Sequence, residues 1–228
     1  MSASDRLVDL SHEIEAGMIT YPGLPAPLVT EFLSRAASAA RYSEGTTFSI
    51  GRVEMVANTG TYLDAPFHRF EQGADVGALP LEKVADLDGI VIDAASAGRA
   101  VGPELFDGID FGGRAVLVRT GWSRHWRTPA YAGENPYLAR ASAERLVAGG
   151  AALVGIDSLN IDDTRDGSRP AHTLLLSAEI PIVEHLTNLD RLPAGGFRFH
   201  CTPAPFRGLG SFPVRAYAVV GAATSTRT

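Results

Sequence analysis

Short apolar runs separated by turn residues set the pattern of this chain. Leu7 to Leu10 reads as a short strand leading into the turn-rich Tyr21-Pro22-Gly23-Leu24-Pro25. Leu28 to Leu33 is a second apolar run, and Thr46 to Ala57 alternates as strands do, with a kink expected at Gly51. Gly89–Asp93, Arg114–Arg119 and Ala151–Asp157 are nearly continuous apolar runs. Such runs belong to strands covered on both faces, because a strand with one face in water alternates instead. Between the last two lies a helical stretch, Ala143 to Ala148, with Ser142 as its expected cap and Gly149-Gly150 as its stop. Strand, helix and strand in that order predict a parallel crossover. A second short helix is expected over His172 to Ala178, with Pro170 just ahead of it. Ile180 to Val183, Phe197 to Cys201 and Val214 to Val220 complete the strands. The fold class is α/β with more strand than helix. No linker or repeat divides residues 1–228, so one domain is expected.

Composition narrows the function. The chain is 45% hydrophobic over 228 residues, enough for one sizeable core. A net charge of −6, a single lysine (Lys83) and no basic stripe argue against a nucleic-acid partner, which would need its phosphates neutralised. The one cysteine, Cys201, excludes an internal disulfide and a Cys-based zinc cluster, and nothing beside it in sequence would make it a nucleophile. Met1 to Asp9 lacks the basic start and apolar run of a signal peptide. No stretch approaches the roughly 18–20 apolar residues that span a bilayer. Cytoplasm is the expected compartment, with no membrane partner.

The chemistry concentrates in Asn58-Thr-Gly-Thr-Tyr-Leu-Asp-Ala-Pro-Phe-His68. Asn58, Tyr62, Asp64 and His68 are separated by even intervals, and in an extended chain residues of equal parity share a face. The segment thus aims an amide, a phenol, a carboxylate and an imidazole into one space. Pro66 takes the chain near His68 out of the sheet, and Gly60 permits a close backbone approach. Asp and His together suit zinc or manganese.

This segment resembles the signature of the cyclase / kynurenine formamidase (arylformamidase) family, which includes isatin hydrolases: His-x-Gly-Thr-His-x-Asp-x-Pro-x-His. Gly60, Thr61, Asp64, Pro66 and His68 match it, whereas Asn58 and Tyr62 stand where the pattern has His. Asp9-Leu-Ser-His12, Gly155-Ile-Asp157, Arg169-Pro-Ala-His172 and Pro181-Ile-Val-Glu184 extend the likeness over about residues 5–220. The resemblance implies a swivelling β/β/α fold, a homodimer or homotetramer, and hydrolysis of a small amide, formamide or lactam. It implies metal ligands at Asp64, His68 and Glu184, an acid/base at His172, and an oxyanion donor at Tyr62 or among backbone N–H groups near Gly60. Tyr21, Asn58, Gly60 and Arg169 are the expected substrate contacts. With two motif histidines missing, one divalent ion (zinc or manganese) is expected in place of the family's pair, because an amide oxygen and a neutral phenol are weak ligands. Two other readings stand beside this one. The first is a cyclase or dehydratase acting on a polyketide-like or hydroxyacid substrate. The second is an inactive small-ligand-binding homologue without metal, motivated by Asn58 and Tyr62.

Overall fold

The computed structural model describes residues 6–221. The opening Met1–Asp5, within the segment on which the signal-peptide expectation rests, lies outside them. In chain order the elements are β1 (Leu7–Asp9), β2 (Leu28–Leu33), α1 (Arg35–Ala39), β3 (Ile50–Glu54) and β4 (Tyr62–Asp64). There follow β5 (Leu87–Asp93), β6 (Ala100–Val101), β7 (Ala115–Arg119), β8 (Tyr137–Leu138), α2 (Arg140–Ala148) and β9 (Leu153–Ile156). The chain continues through α3 (Pro170–Ser177), β10 (Ile182–Glu184), β11 (Gly195–His200), β12 (Ser211–Pro213) and β13 (Tyr217–Val220).

Nine strands form one mixed sheet, curled into a half-barrel, in the order β1-β13-β11-β5-β7-β9-β10-β4-β12. Its centre, β5-β7-β9-β10, is parallel, and both flanks are antiparallel. The apolar runs form this centre because both of their faces are covered. Val116, Val118, Val154 and Ile156 pack against Ala143 and Leu146 of α2 and Ala171 and Leu175 of α3. The alternate residues Ala115, Leu117 and Leu153 pack on the other side with Leu63, Phe197 and Phe199. The expected crossover is present as β7-α2-β9, with β7 and β9 parallel.

Two local expectations are corrected. α2 starts at Arg140 after an N-cap at Ala139, so Ser142 lies inside the helix. It is buried there, and its hydroxyl donates to Val101 O of β6 at 2.7 Å, a partner invisible from local sequence. The strand expected over Thr46–Ala57 is only β3, and the irregularity opposite Gly51 falls on the facing strand, between Glu31 and Leu33. Among the described residues, no helix is long and apolar enough to cross a membrane.

Candidate functional site

The site is built where β4 joins β10 and β12 at one side of the sheet. Tyr62 pairs with Glu184, and Asp64 pairs with both Ile182 and Ser211. Paired residues share a face, and Tyr62 and Asp64 have equal parity, so Tyr62, Asp64, Glu184 and Ser211 all project the same way. The intervening Leu63 and Val183 go to the opposite core. Past Ala65 the chain turns through a short 3-10 segment, Pro66–His68. Even spacing alone does not carry His68 into the site; this turn does, bringing its Nδ1 to 3.7 Å from Asp64 Oδ1. Gly210 makes room for it, since a Cβ there would lie 2.4 Å from His68 Cα.

His172 arrives from another element. It is the third residue of α3, whose first turn is capped by Asp162: Oδ1 accepts from Ala171 N at 2.6 Å and Oδ2 from His172 N at 3.0 Å. Asp162 Oδ2 also holds His172 Nδ1 at 2.7 Å, which turns Nε2 toward Asp64 Oδ2 (3.6 Å) and Glu184 Oε1 (3.7 Å). Asp64, His68 and His172 each present one ligand atom, all within 4.8 Å of one another. Asp64 Oδ1 accepts from the hydroxyl of Ser211, with Asn58 Nδ2 at 3.5 Å, while Oδ2 is buried and has no partner among the described residues.

His172 joins Asp64 and His68 as a converging group, and the expected ligand Glu184 stands beside them, its Oε1 3.7 Å from His172 Nε2. Both Glu184 oxygens are engaged: Oε1 accepts from Ile161 N at 2.6 Å and Oε2 from the Tyr62 hydroxyl at 2.5 Å. Tyr62, expected to face an oxyanion, spends its proton on Glu184. Gly60 has φ +68° and its N–H donates to Thr20 Oγ1 at 2.8 Å, so it is not free to bind an oxyanion, and the residue lies outside the cavity lining. Tyr21, Asn58 and Arg169 do line that cavity of about 340 Å³, together with Leu24 and Asn160. Arg169 has φ +46° and reaches Asp163 O at 3.2 Å. A larger cleft of about 960 Å³ lies at the N-terminal ends of β5, β7 and β9, beside Lys83, Arg114 and Arg198. The converging side chains Tyr62, His68, His172 and Glu184 line the smaller cavity, and none of them lines the larger cleft.

Burial and mutual charge set the protonation states. Burial pushes Glu184 up to about 7, helped by the charge of Asp64 and opposed by His172 and the hydrogen bonds from Tyr62 and Ile161. Burial alone would lower His172, but its hydrogen bond to Asp162 and the nearby carboxylates of Asp64 and Glu184 outweigh it and raise it to about 10. Asp64 is held below the usual carboxylate range: burial opposes this, and His68, His172 and Ser211 prevail. Tyr62 is raised well above its ordinary value by burial and by the charges of Glu184 and Asp64, so it stays a phenol.

Behind Tyr62 lies an aromatic wall. His12 stacks on Trp126 with centroids 4.1 Å apart, and the His185 ring packs against Tyr62, Trp126 and Tyr131, whose hydroxyl meets His185 Nδ1 at 2.8 Å. Burial lowers His12 to about 4 and His185 to about 3. Both are neutral in the fold at pH 7, whereas in the unfolded chain they protonate near 6.5. Their contribution is intact above pH 6.5 and is lost progressively as pH falls from 6.5 to the folded values, because over that range the unfolded state binds more protons. Urea unfolding at pH 7 and pH 4.5 measures this. His12→Phe keeps the stack and is expected to lose less stability between those pH values than wild type, by about 2–3 kcal/mol. An unchanged pH dependence refutes the assignment.

Sequence reading missed Asp162, Ser211 and Asn160. Ser211 ends the Gly-Leu-Gly-Ser string at 208–211, which has no phosphate-binding spacing. Its role follows only from its register with Asp64. Asp162 had a readable signal in the helix start at Pro170, which needs an acceptor for its N–H groups. Cys201 is buried, and burial raises its thiol far above reactivity.

Residues 8–163 match the family described as Putative cyclase. Among solved structures, one named a potential metal-dependent hydrolase with cyclase activity is 25% identical, with TM-score 0.77, covering 93% of this chain and 96% of that one. A predicted metal-dependent hydrolase from Bacillus stearothermophilus is 25% identical, with TM-score 0.71 and coverage of 93% and 97%. Isatin hydrolase A from Labrenzia aggregata is 23% identical, with TM-score 0.79 and 96% of each chain covered; at that identity the likeness shows the fold.

Proposed function

This chain belongs to the Putative cyclase family, and on that premise we propose that it is a metal-assisted hydrolase of a small amide, formamide or lactam-like bond, resembling an arylformamidase (kynurenine formamidase). The carrying observation is the convergence of Asp64, His68 and His172 around a buried, unpartnered carboxylate oxygen. One carboxylate and two imidazoles suit zinc or manganese, and a buried carboxylate oxygen that no hydrogen bond occupies is open to a cation. The names of the structural relatives, metal-dependent hydrolase and isatin hydrolase, support the same reading.

Asp64, His68 and His172 would hold one divalent ion, with Glu184 beside them. When bound, such an ion supplies a Lewis acid that brings the pKa of water from 15.7 to about 7. The remaining work falls to the chain. Asp162 fixes the His172 ring by accepting a hydrogen bond from Nδ1–H, so that Nε2 is the atom turned to the centre, and the Nε2 proton would be displaced by an ion there. Glu184, raised to about 7, both takes and returns protons near neutrality. Its Oε1 faces the centre and serves as the acid/base: it takes a proton from the attacking water and delivers it to the departing amine nitrogen. Tyr62 and Ile161 N hold that carboxylate in place. The expected roles of His172 and Glu184 thus change places. The cavity at Tyr21, Leu24, Asn58 and Arg169 takes a small substrate.

Two substitutions test this in a formamide or ester hydrolysis assay. Glu184→Gln is expected to cut turnover by about 10²–10⁴-fold with metal content unchanged. His68→Ala is expected to lose metal and turnover together. Full turnover in either variant overturns the assignment. The hydrogen bond from Tyr62 to Glu184, where the family signature has a histidine, favours one competing reading: a pocket that binds a small ligand without converting it. Protein purified without chelators that carries no zinc or manganese, shows no turnover after either is added, and still binds a small amide or formamide in calorimetry would establish that alternative.

A further inference from the structure

Asn160, Ile161 and Asp162 follow one another in the chain, and each reaches the site in its own way. Ile161 N holds Glu184 Oε1 at 2.6 Å, and Asp162 Oδ2 holds His172 Nδ1 at 2.7 Å. Asn160 lines the cavity that Glu184 and His172 also line. It is only 8% exposed, and its Oδ1 is occupied: that oxygen accepts from Asp162 N at 3.0 Å and from Arg169 Nη1 at 3.4 Å. A main-chain N–H and a guanidinium can only donate, so the oxygen has to face them. The NH2 group is left over. Among the described residues Nδ2 has no hydrogen-bond partner, and it is the part of this side chain free to meet a ligand in the cavity.

Amide hydrolysis needs such a group. When water adds to the substrate carbonyl, the π pair of the C=O bond moves onto oxygen, and donors already in place must meet the charge that develops there. The donors first expected are taken: Tyr62 gives its proton to Glu184, and Gly60 N donates to Thr20. Asn58 turns its amide to Asp64. Resting on the hydrolase reading, we propose that the side-chain amide of Asn160 is the oxyanion donor, with Nδ2–H donating to the former carbonyl oxygen. Glu184 takes the proton of the attacking water as the C–O bond forms. The oxyanion pair then re-forms C=O, the C–N bond breaks with its pair on nitrogen, and Glu184 returns the proton to that nitrogen. Asn160 keeps its protons throughout. Its amide is set before substrate arrives, because the bond from Asp162 N, two residues on, fixes its direction. Arg169 on Oδ1 draws electron density from the amide and makes Nδ2–H a stronger donor.

Two substitutions and two readouts test this. Asn160→Asp keeps an oxygen for Asp162 N and Arg169 and replaces only the donor, whereas Asn160→Ala removes the amide altogether. In the formamide assay both are expected to lower kcat by about 10²–10³-fold, with KM and metal content close to those of wild type. The second readout is calorimetry with phenylphosphonate, whose tetrahedral oxyanion resembles the charge that develops in the reaction. Asn160→Ala is expected to bind it at least about 10-fold more weakly than wild type, as loss of a hydrogen bond to a charged group does. A merely structural Asn160 predicts full turnover in Asn160→Asp, and that result overturns the donor while the hydrolase reading stands. Equal binding of phenylphosphonate by wild type and Asn160→Ala, or binding by neither, overturns it too. Wild type that holds phenylphosphonate through Asn160 yet hydrolyses no amide supports the donor and rejects the hydrolase reading.

Discussion

Asp64→Asn is expected to retain less than about one tenth of the metal that wild type carries, measured by plasma emission spectrometry after dialysis, with affinity reduced at least about 10²-fold. Even outer partners of metal ligands are worth about 10–100-fold, and Asp64 stands at the centre of the cluster. Its carboxylate is fully buried, takes the Ser211 hydroxyl on one oxygen, and aims the other, unpartnered, toward His172 Nε2 at 3.6 Å. An amide keeps the shape but removes the charge, and its nitrogen cannot serve as a ligand in place of the lost oxygen. Thermal unfolding gives a readout that needs no substrate. Zinc or manganese at about 100 times the dissociation constant stabilises wild type by about 2.7 kcal/mol, which for a chain of this size raises Tm by roughly 5–10 °C. The variant is expected to show no shift at that concentration. Stoichiometric metal in Asp64→Asn would remove the foundation of the proposed chemistry.

The double substitution Asn58→His with Tyr62→His is expected to raise metal content from about one to about two ions per chain. Tyr62 points its hydroxyl at Glu184 Oε2 from 2.5 Å, and Asn58 points its amide at Asp64 Oδ1 from 3.5 Å. Each side chain donates a proton to a carboxylate, so together they occupy positions from which imidazoles would face the same two anions. The phenol stays protonated because burial and those anions raise it well above its ordinary value. Two neutral imidazoles would instead offer nitrogen lone pairs, and Glu184 Oε2, relieved of the Tyr62 hydrogen bond, would add a further oxygen ligand. Tyr62 is nearly fully buried against His185, so the smaller ring leaves a space and lowers the stability of the metal-free variant. Isothermal titration with zinc, compared with wild type, reads the stoichiometry directly. A count of one or fewer in a folded variant shows that the two positions do not determine the number of ions.

The strands of the sheet's centre were readable because their cause is local. Gly89–Asp93 and Arg114–Arg119 are apolar on both parities, and only a strand covered on both sides needs that composition. The short motif strand was readable for a similar reason, since parity puts Tyr62 and Asp64 on one face wherever the strand lies. The Ser142 cap failed because a hydroxyl near a helix start looks the same whether it caps that helix or bonds to a distant carbonyl. In the fold, Val101 O, 41 residues away, was the better partner.

By itself the sequence determined the α/β class, the parallel crossover, and a segment rich in donors around Asp64 and His68. Only the tertiary structure decided which groups meet. Ser211 reaches Asp64 across 147 residues and Tyr62 reaches Glu184 across 122, through strand registers set by burying Leu63, Val183 and their neighbours. His172 joined Asp64 and His68 because Asp162 caps α3 and turns its ring, while Tyr62 and Ile161 N engaged both oxygens of Glu184. Local pattern fixes which face a side chain takes within its own strand, but the neighbour it meets there depends on how the whole sheet pairs and packs.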